Sequence, residues 1–197
     1  NSGLTWERLQ EEKVIQTLPS EWINWHGDQF PTPSGRLEFY LENPKPRVNC
    51  GVMVDQSKEH LPEFEPPIEA WPDNPLIEKF PLVFHTIRQR WRLHSQWHES
   101  PWLRELDPEP ELKIHPKDAK ERRIETGDMV EVFNDRGRVV LKAVLSEGQR
   151  PGMVTAPKGW QRDQFKEGSY QELTTDHVNT TSYNQCFYDV LCEVRQA

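Results

Sequence analysis

Cysteine is scarce in this sequence. Cys50, Cys186 and Cys192 are the three copies among 197 residues, and no two of them form a Cys-x-x-Cys pair. A disulfide framework or a structural zinc site needs more cysteines at regular spacing. We therefore expect isolated thiols without a chemical role.

Long apolar runs and excess positive charge are also missing. No 18 consecutive residues are apolar, so we expect no direct membrane insertion. The 24 Lys and Arg residues stand against 32 Asp and Glu residues, and the formal net charge is -8. An acidic surface repels nucleic acid, so we expect no nucleic-acid partner. A barrel that binds single strands through its one basic stretch is the alternative.

Short apolar segments with turn residues between them dominate the second half of the chain. Segments 129–134 and 138–145 alternate around a polar turn that ends at Gly137, which predicts a β-hairpin. Pro116 opens a short helix with Ala119 and Ile124 facing inward. Six strands in all predict a mainly β barrel or sandwich, into which the last strand pairs back. The six segments are 81–86, 111–116, 129–134, 138–145, 151–157 and 190–195.

Residues 1–79 have a different texture. Helical spacing over 4–17 predicts one short helix, and the alternation of Leu37, Phe39 and Leu41 after a Pro-Ser-Gly turn predicts a strand. Residues 43–80 are rich in proline and predict an extended arm or linker. We therefore divide the chain into residues 1–79 and a barrel at 80–197. The first residue is Asn, which favours a piece of a longer protein.

Residues 85–105 gather four arginines, three histidines and three tryptophans. Arginine offers a planar fork of donors that fits phosphate, and tryptophan can stack on a heterocycle. The stretch therefore suits a nucleotide-like ligand. A solvated basic loop with inward tryptophans remains the alternative. The spacing of His94 and His98 could suit a metal, but no third ligand is evident, so we expect no metal site.

Three sets of motifs resemble one known family. They are FPTPSGRLEFY at 30–40, RLHSQ at 92–96 with IHPKDAKERRIETGDMVEVFNDRG at 114–137, and the PG…GW pattern at 151–160 followed by QELTTD at 171–176. In this order they resemble the C-terminal molybdopterin-dinucleotide-binding domain of the large catalytic subunit of dimethyl-sulfoxide-reductase-family molybdenum or tungsten oxidoreductases.

The resemblance implies a six-stranded double-psi β-barrel with short helices, preceded by the proline-rich arm. It implies that the domain holds one of two molybdopterin guanine dinucleotides, with Mo or W between the pterins. The implied cofactor-binding residues carry over by motif, with no catalytic residue among them: Thr86, Arg88, Arg92, His94, Ser95, Gln96, Asn134, Lys158, Trp160 and Gln171. Gln171 stands where the family often has Asn, and Arg123 stands where it usually has Gly.

The resemblance implies a fragment of an anaerobic bacterial enzyme for two-electron redox or oxygen-atom transfer, of the sulfoxide, N-oxide, thiosulfate or polysulfide reductase type. We expect the isolated fragment to be inactive and to lack the cofactor. Implied partners are an iron–sulfur electron-transfer subunit and the remaining domains of the catalytic subunit. The compartment stays open, with the periplasmic face of the membrane favoured over the cytoplasmic face. A stand-alone β-barrel that binds a nucleotide or partner protein without catalysis is the alternative function.

Overall fold

A computed structural model of the chain describes residues 3–18, 20–24, 27, 29–44, 56–178 and 184–197. They form two compact units. One comprises the described residues up to 44 together with 56–62, and the other the described residues from 63 onward. Residues 63–79, which the sequence assigns to the arm, thus group with the barrel. Part of the predicted arm, 45–55, lies outside the described residues, and the division of the chain at residue 80 stays a prediction.

Helices are few and short in the described residues. The predicted helix near the N-terminus is confirmed as α1, with Thr5 as its N-cap and no buried residue. The helix opened by Pro116 is confirmed as α3, while α2 was not predicted. The α-helices are α1 (Trp6–Glu12), α2 (Pro101–Leu106) and α3 (Pro116–Glu121), and the 3₁₀ turns are Gln56–Lys58, Pro75–Glu78, Arg162–Gln164 and Tyr170–Leu173.

The predicted strands from residue 81 onward are confirmed, and a further two-residue strand, β6, joins them. Burial alternates along β1, whereas three consecutive residues are buried in each of β3, β4 and β5, so short apolar segments as well as alternation mark these strands. The strands are β1 (Leu82–Ile87), β2 (Glu111–Ile114), β3 (Met129–Phe133), β4 (Arg138–Leu145), β5 (Met153–Pro157), β6 (Glu167–Gly168) and β7 (Leu191–Gln196).

Six of these strands close into a ring, as expected for a six-stranded double-psi barrel. The order is β2-β5-β1-β7-β3-β4, and β4 pairs again with β2, while β6 adds to the outside of β4. The pairs β1–β5 and β2–β4 are parallel, and the other pairs are antiparallel. The last strand, β7, pairs with both β1 and β3, as predicted. Closure leaves no exposed edge on these six strands.

The barrel is filled by inward side chains from every strand of the ring. The largest fully buried side chains include Phe84, Leu112, Ile114, Leu141 and Leu191. Each such side chain stabilises the fold by about 1.5–3 kcal/mol relative to exposure. This burial gives the loops that follow the strands a rigid base.

The predicted strand over residues 37–41 is wrong. No strand forms there, and Leu37, Phe39 and Leu41 are exposed. Leu41 N donates to His60 O at 2.9 Å, which is a contact between loops and not part of a strand ladder. Alternation alone cannot make a strand without a partner strand to pair with. The predicted turn before it is confirmed, since Gly35 N donates to Thr32 O at 3.0 Å.

The exit of α3 is tight although arginine stands where glycine is usual. Arg123 adopts a left-handed backbone with φ 57°, and Ile124 N then donates to Ala119 O at 2.9 Å. A left-handed conformation costs a non-glycine residue roughly 1–2 kcal/mol. The chain therefore keeps the helix exit at a cost in backbone strain.

Candidate functional site

A cavity of about 890 Å³ opens where the parallel strands β1 and β5 end. Thr86 comes from β1, and Lys158 directly follows β5, where its backbone N donates to Ile87 O at 2.9 Å. Ligands commonly bind outside the carboxyl ends of neighbouring parallel strands. The cavity wall consists of Thr86, His94, Ser95, Lys158, Gly159, Trp160, Gln161, Arg162, Tyr170, Gln171, Thr174, Gln185 and Phe187.

The loop after β1 contributes His94 and Ser95 to the wall. His94 and Trp97 have positive φ values of 53° and 72°, in the left-handed region. Leu93 and Gln96 bridge across the turn between them. Strained backbone of this kind persists where the surroundings enforce it, and it concentrates at functional sites.

Gly159 is the residue that enforces the position of this loop. A Cβ built on Gly159 would lie 1.8 Å from the carbonyl oxygen of His94, so only glycine fits against that carbonyl. The φ of Gly159 is 100°, which also favours glycine. On the other side, the Gly159 N–H donates to the hydroxyl of Tyr170 at 2.7 Å. Burial raises the pKa of Tyr170, so this hydroxyl stays protonated around neutral pH.

Buried polar and aromatic side chains support the loop from behind. The guanidinium of Arg92 lies 4.4 Å from the ring centre of Trp160, and its Nη1 is 3.0 Å from an Asp107 carboxylate oxygen. The ring of His98 meets Trp160 edge-on, and its Nε2 lies 3.2 Å from His94 O. Because a carbonyl only accepts, Nε2 carries the proton. Burial, followed by the charge of Arg92, lowers the pKa of His98, so the ring is neutral.

Lys158 brings positive charge to the cavity. Its Nζ lies 3.3 Å from the hydroxyl of Tyr188. The ring of Tyr188 stacks on that of His85, with 5.4 Å between the ring centroids. Burial lowers the pKa of His85, so this ring is neutral and does not repel the ammonium group. Arg162, the other cation on the wall, is paired with Glu172. Lys158 is therefore the better placed cation for an incoming anion.

The structure brings six of the ten predicted cofactor-binding residues onto the cavity wall and leaves four off it. Arg88 and Gln96 are exposed elsewhere on the loop. Arg92 is buried against Asp107 and Trp160. The amide of Asn134 donates to Leu173 O and Leu191 O, which is a structural role. The six on the wall are Thr86, His94, Ser95, Lys158, Trp160 and Gln171. Their contacts with a cofactor stay predictions.

Other wall residues were not predicted from the sequence. Tyr170 directly precedes the QELTTD motif and Thr174 lies within it, and this position was the available signal. Gly159 lies between two predicted residues in the GW pattern. Gln185 and Phe187 precede the last strand and belong to none of the motifs. Only the fold brings them to the cavity.

The described part of the chain contains neither a metal cluster nor a membrane-spanning helix. In residues 3–44 and 56–197, apart from the undescribed positions, no three His, Cys, Asp or Glu side chains cluster in a way that could hold a metal ion. Within the same part of the chain, no helix has the length and apolarity to cross a membrane.

Comparisons with known proteins agree on one family. Residues 82–191 match the family described as the molydopterin dinucleotide binding domain. A protein of Halobacterium salinarum whose name describes the catalytic subunit of a dimethyl sulfoxide reductase is 35% identical over 196 residues, 98% of this chain and 23% of that protein. Trimethylamine-N-oxide reductase 1 of Escherichia coli is 36% identical over 141 residues, 70% of this chain and 16% of that protein.

A solved structure shares the fold. Acetylene hydratase from Pelobacter acetylenicus superimposes with a TM-score of 0.69 at 20% identity, over 99% of this chain and 28% of that one. This chain spans less than a quarter of the length of the two reductase relatives. The match over 82–191 includes β1 to β6, only the first residue of β7, and every residue of the cavity wall. This chain belongs to the molybdopterin dinucleotide-binding domain family found in catalytic subunits of the dimethyl sulfoxide reductase type.

Proposed function

We propose that this chain is the cofactor-binding part of a longer molybdopterin oxidoreductase and holds one molybdopterin guanine dinucleotide. The cavity at the ends of β1 and β5 carries the proposal. Its volume of about 890 Å³ lies within the roughly 300–1,000 Å³ that ligand sites occupy. When bound, the cofactor supplies the metal and the two-electron redox chemistry, and the protein supplies orientation and hydrogen bonds.

The chemistry of the cavity wall fits such a ligand. Lys158 would attract the diphosphate, and the hydroxyl of Ser95 and the imidazole of His94 would donate to its oxygens. Gln171 offers an amide for the edge of a heterocycle. Phe187 presents an exposed ring for stacking, since 37% of it is accessible. Charged, hydrogen-bonding and aromatic groups on one wall match a ligand with phosphates and flat rings.

The names of the relatives suggest a reaction for the whole protein, and we propose it on that basis. Relatives are named as reductases of dimethyl sulfoxide and trimethylamine-N-oxide, so we propose reductive oxygen-atom transfer. The rest of the catalytic subunit would hold the metal and the substrate, and an iron–sulfur subunit would deliver electrons. We propose the periplasmic face of the membrane as its place. The isolated chain would be inactive, because the groups that hold the metal and the substrate would lie in the rest of the catalytic subunit.

Titration of the chain with guanosine diphosphate tests the binding site directly. We expect saturable binding in calorimetry, and we expect Lys158→Ala to weaken it about ten-fold, because it removes one charge-assisted contact. Lys142→Ala is the matched control, since Lys142 pairs with Glu109 and is absent from the cavity wall. Equal affinities for wild type and Lys158→Ala would contradict the proposed site.

The enzyme as a whole is tested by its cofactor content. The complete gene product, purified without oxygen, should contain a pterin together with molybdenum or tungsten. Replacing His94, Ser95 and Gln96 together by alanine should lower the metal content and the activity in parallel. A complete gene product that carries no pterin would refute the proposed function.

A further inference from the structure

Asp189 holds a segment far away in sequence through its carboxylate. Its two oxygens accept the backbone N–H groups of Ile68, Glu69 and Ala70, at distances of 2.6–3.1 Å. Asp189 is only 8% exposed. Three charge-assisted bonds from consecutive amides fix the segment to the chain just before β7.

Glu69, in the middle of that segment, binds the β3–β4 hairpin. Its oxygens lie 2.7 and 2.9 Å from the two terminal nitrogens of Arg136, a bidentate pair. The same carboxylate accepts the backbone N–H of Leu191 at 2.6 Å. Glu69 is 6% exposed. A buried carboxylate without a positively charged partner is strongly destabilising, so Glu69 depends on Arg136.

The third donor of Arg136 reaches the cavity wall. Its Nε donates at 2.9 Å to the carbonyl of Leu173, which directly precedes the wall residue Thr174. We call Glu69, Arg136 and Asp189 the clamp. None of the three lines the cavity.

The clamp meets the cavity from two sides. Through Arg136 it holds the turn that carries Gln171 and Thr174. Through Asp189 it fixes the end of the loop that carries Gln185 and Phe187, since Asp189 N also donates to Cys186 O at 2.9 Å. These two pieces are not barrel strands, so the barrel's hydrogen-bond ladders do not fix them.

We propose that the clamp positions these two parts of the wall for the ligand, so that residues 68–70 of the proline-rich arm belong to the binding site's support. The inference rests on the proposed function. Glu69, Arg136 and Asp189 are positioning residues that act through Leu173 and the loop before β7. Supporting contacts of this kind keep binding groups in their productive geometry.

The barrel contains a matched control for Arg136. Arg122 also makes a bidentate pair with a glutamate, at 2.5 and 3.1 Å from Glu193, and it also donates to a backbone carbonyl, that of Asp118 at 3.0 Å. Arg122 lies at the end of α3 and is absent from the cavity wall. Arg136→Lys and Arg122→Lys therefore each remove a bidentate pair with a glutamate. Of the two arginines, Arg136 alone donates to a residue next to the cavity wall.

The experiment compares the two variants in the 197-residue chain. Guanosine diphosphate affinity should fall about ten-fold in Arg136→Lys, within the range seen for supporting residues, and should stay within about two-fold of wild type in Arg122→Lys. Melting temperatures should fall in both. Asp189→Asn, which keeps one oxygen for the amides, is a second clamp variant and should also weaken binding.

Hydrogen exchange separates failure of the clamp from failure of the proposed function. Amides at 170–174 and 185–188 should exchange faster in Arg136→Lys and Asp189→Asn, but not in Arg122→Lys. If exchange rises as expected and wild type does not bind the nucleotide, the proposed function fails and the clamp stands. If exchange and affinity change no more in Arg136→Lys than in Arg122→Lys, the pair is merely stabilising and the inference is overturned.

Discussion

Replacing Gly159 by alanine tests the packing on which the whole site depends. The new Cβ would lie 1.8 Å from His94 O, whereas real Cβ contacts stay beyond 3.0 Å, so the loop must move by more than an ångström. His94 and Ser95 would move with it. The variant should therefore lose both stability and nucleotide affinity.

The structure also provides the control that isolates this steric clash. Gly127 has the same φ of 100°, and a Cβ there would meet nothing within 4 Å. Alanine at either position takes on backbone strain of roughly 1–2 kcal/mol, partly offset by about 0.4–1 kcal/mol of lost freedom in the unfolded chain. Gly127→Ala should therefore cost about 1 kcal/mol. Gly159→Ala adds the overpacking, typically about 1–3 kcal/mol, for a total of about 2–4 kcal/mol.

Urea unfolding followed by tryptophan fluorescence measures both free energies of unfolding. Trp160 is 5% exposed and directly follows Gly159, so its emission should report loss of this packing. We expect Gly159→Ala to be less stable than Gly127→Ala by at least about 1 kcal/mol. Equal values within about 0.5 kcal/mol would refute the close contact between Gly159 and the His94 loop.

Two further predictions concern the backbone and the pH dependence. Arg123→Gly should raise the free energy of unfolding by about 0.5–1 kcal/mol, because it relieves the left-handed strain at φ 57°; a lower urea midpoint would contradict this. The lowered pKa of His98 keeps it neutral in the fold, so its contribution to stability is complete above its unfolded pKa of about 6.5 and is lost as pH falls below that value. The urea midpoints at about pH 7.5 and about pH 5.5 should therefore differ less in His98→Gln than in wild type. Some difference should remain because the pKa of His85 is also lowered. An unchanged difference between the two midpoints would argue against a buried neutral His98.

Regular barrel strands could be predicted from the sequence because their pattern is local. In β4, for example, the apolar segment Val139–Leu141 is buried while Arg138 is exposed, and the turn chemistry before it marks where the strand begins. The elements that were not predicted, α2 and β6, have almost no such pattern. Leu103 is the only buried residue of α2. Strand β6 has two residues and depends on its partner β4.

The cavity was predictable where a motif directly follows a strand, as with Lys158 after β5. It was not predictable where contacts join distant segments. Asp189 and Ile68 are 121 positions apart, and neither lies in one of the family motifs. Only the closed barrel brings the two segments together, so composition and spacing could not reveal the clamp.

Two of the four arginines that mark residues 85–105 help to shape the loop after β1. Arg92 is buried between Asp107 and Trp160, and Arg104 donates to His98 O at 2.8 Å. Both therefore contact groups of the protein itself, and these contacts support the strained loop. The positive charge that faces the cavity comes from Lys158, which follows another strand. If the cavity binds a diphosphate as proposed, Lys158 would meet the phosphate while Arg92 and Arg104 support the backbone behind it. This division would explain a basic motif that places few cations on the wall.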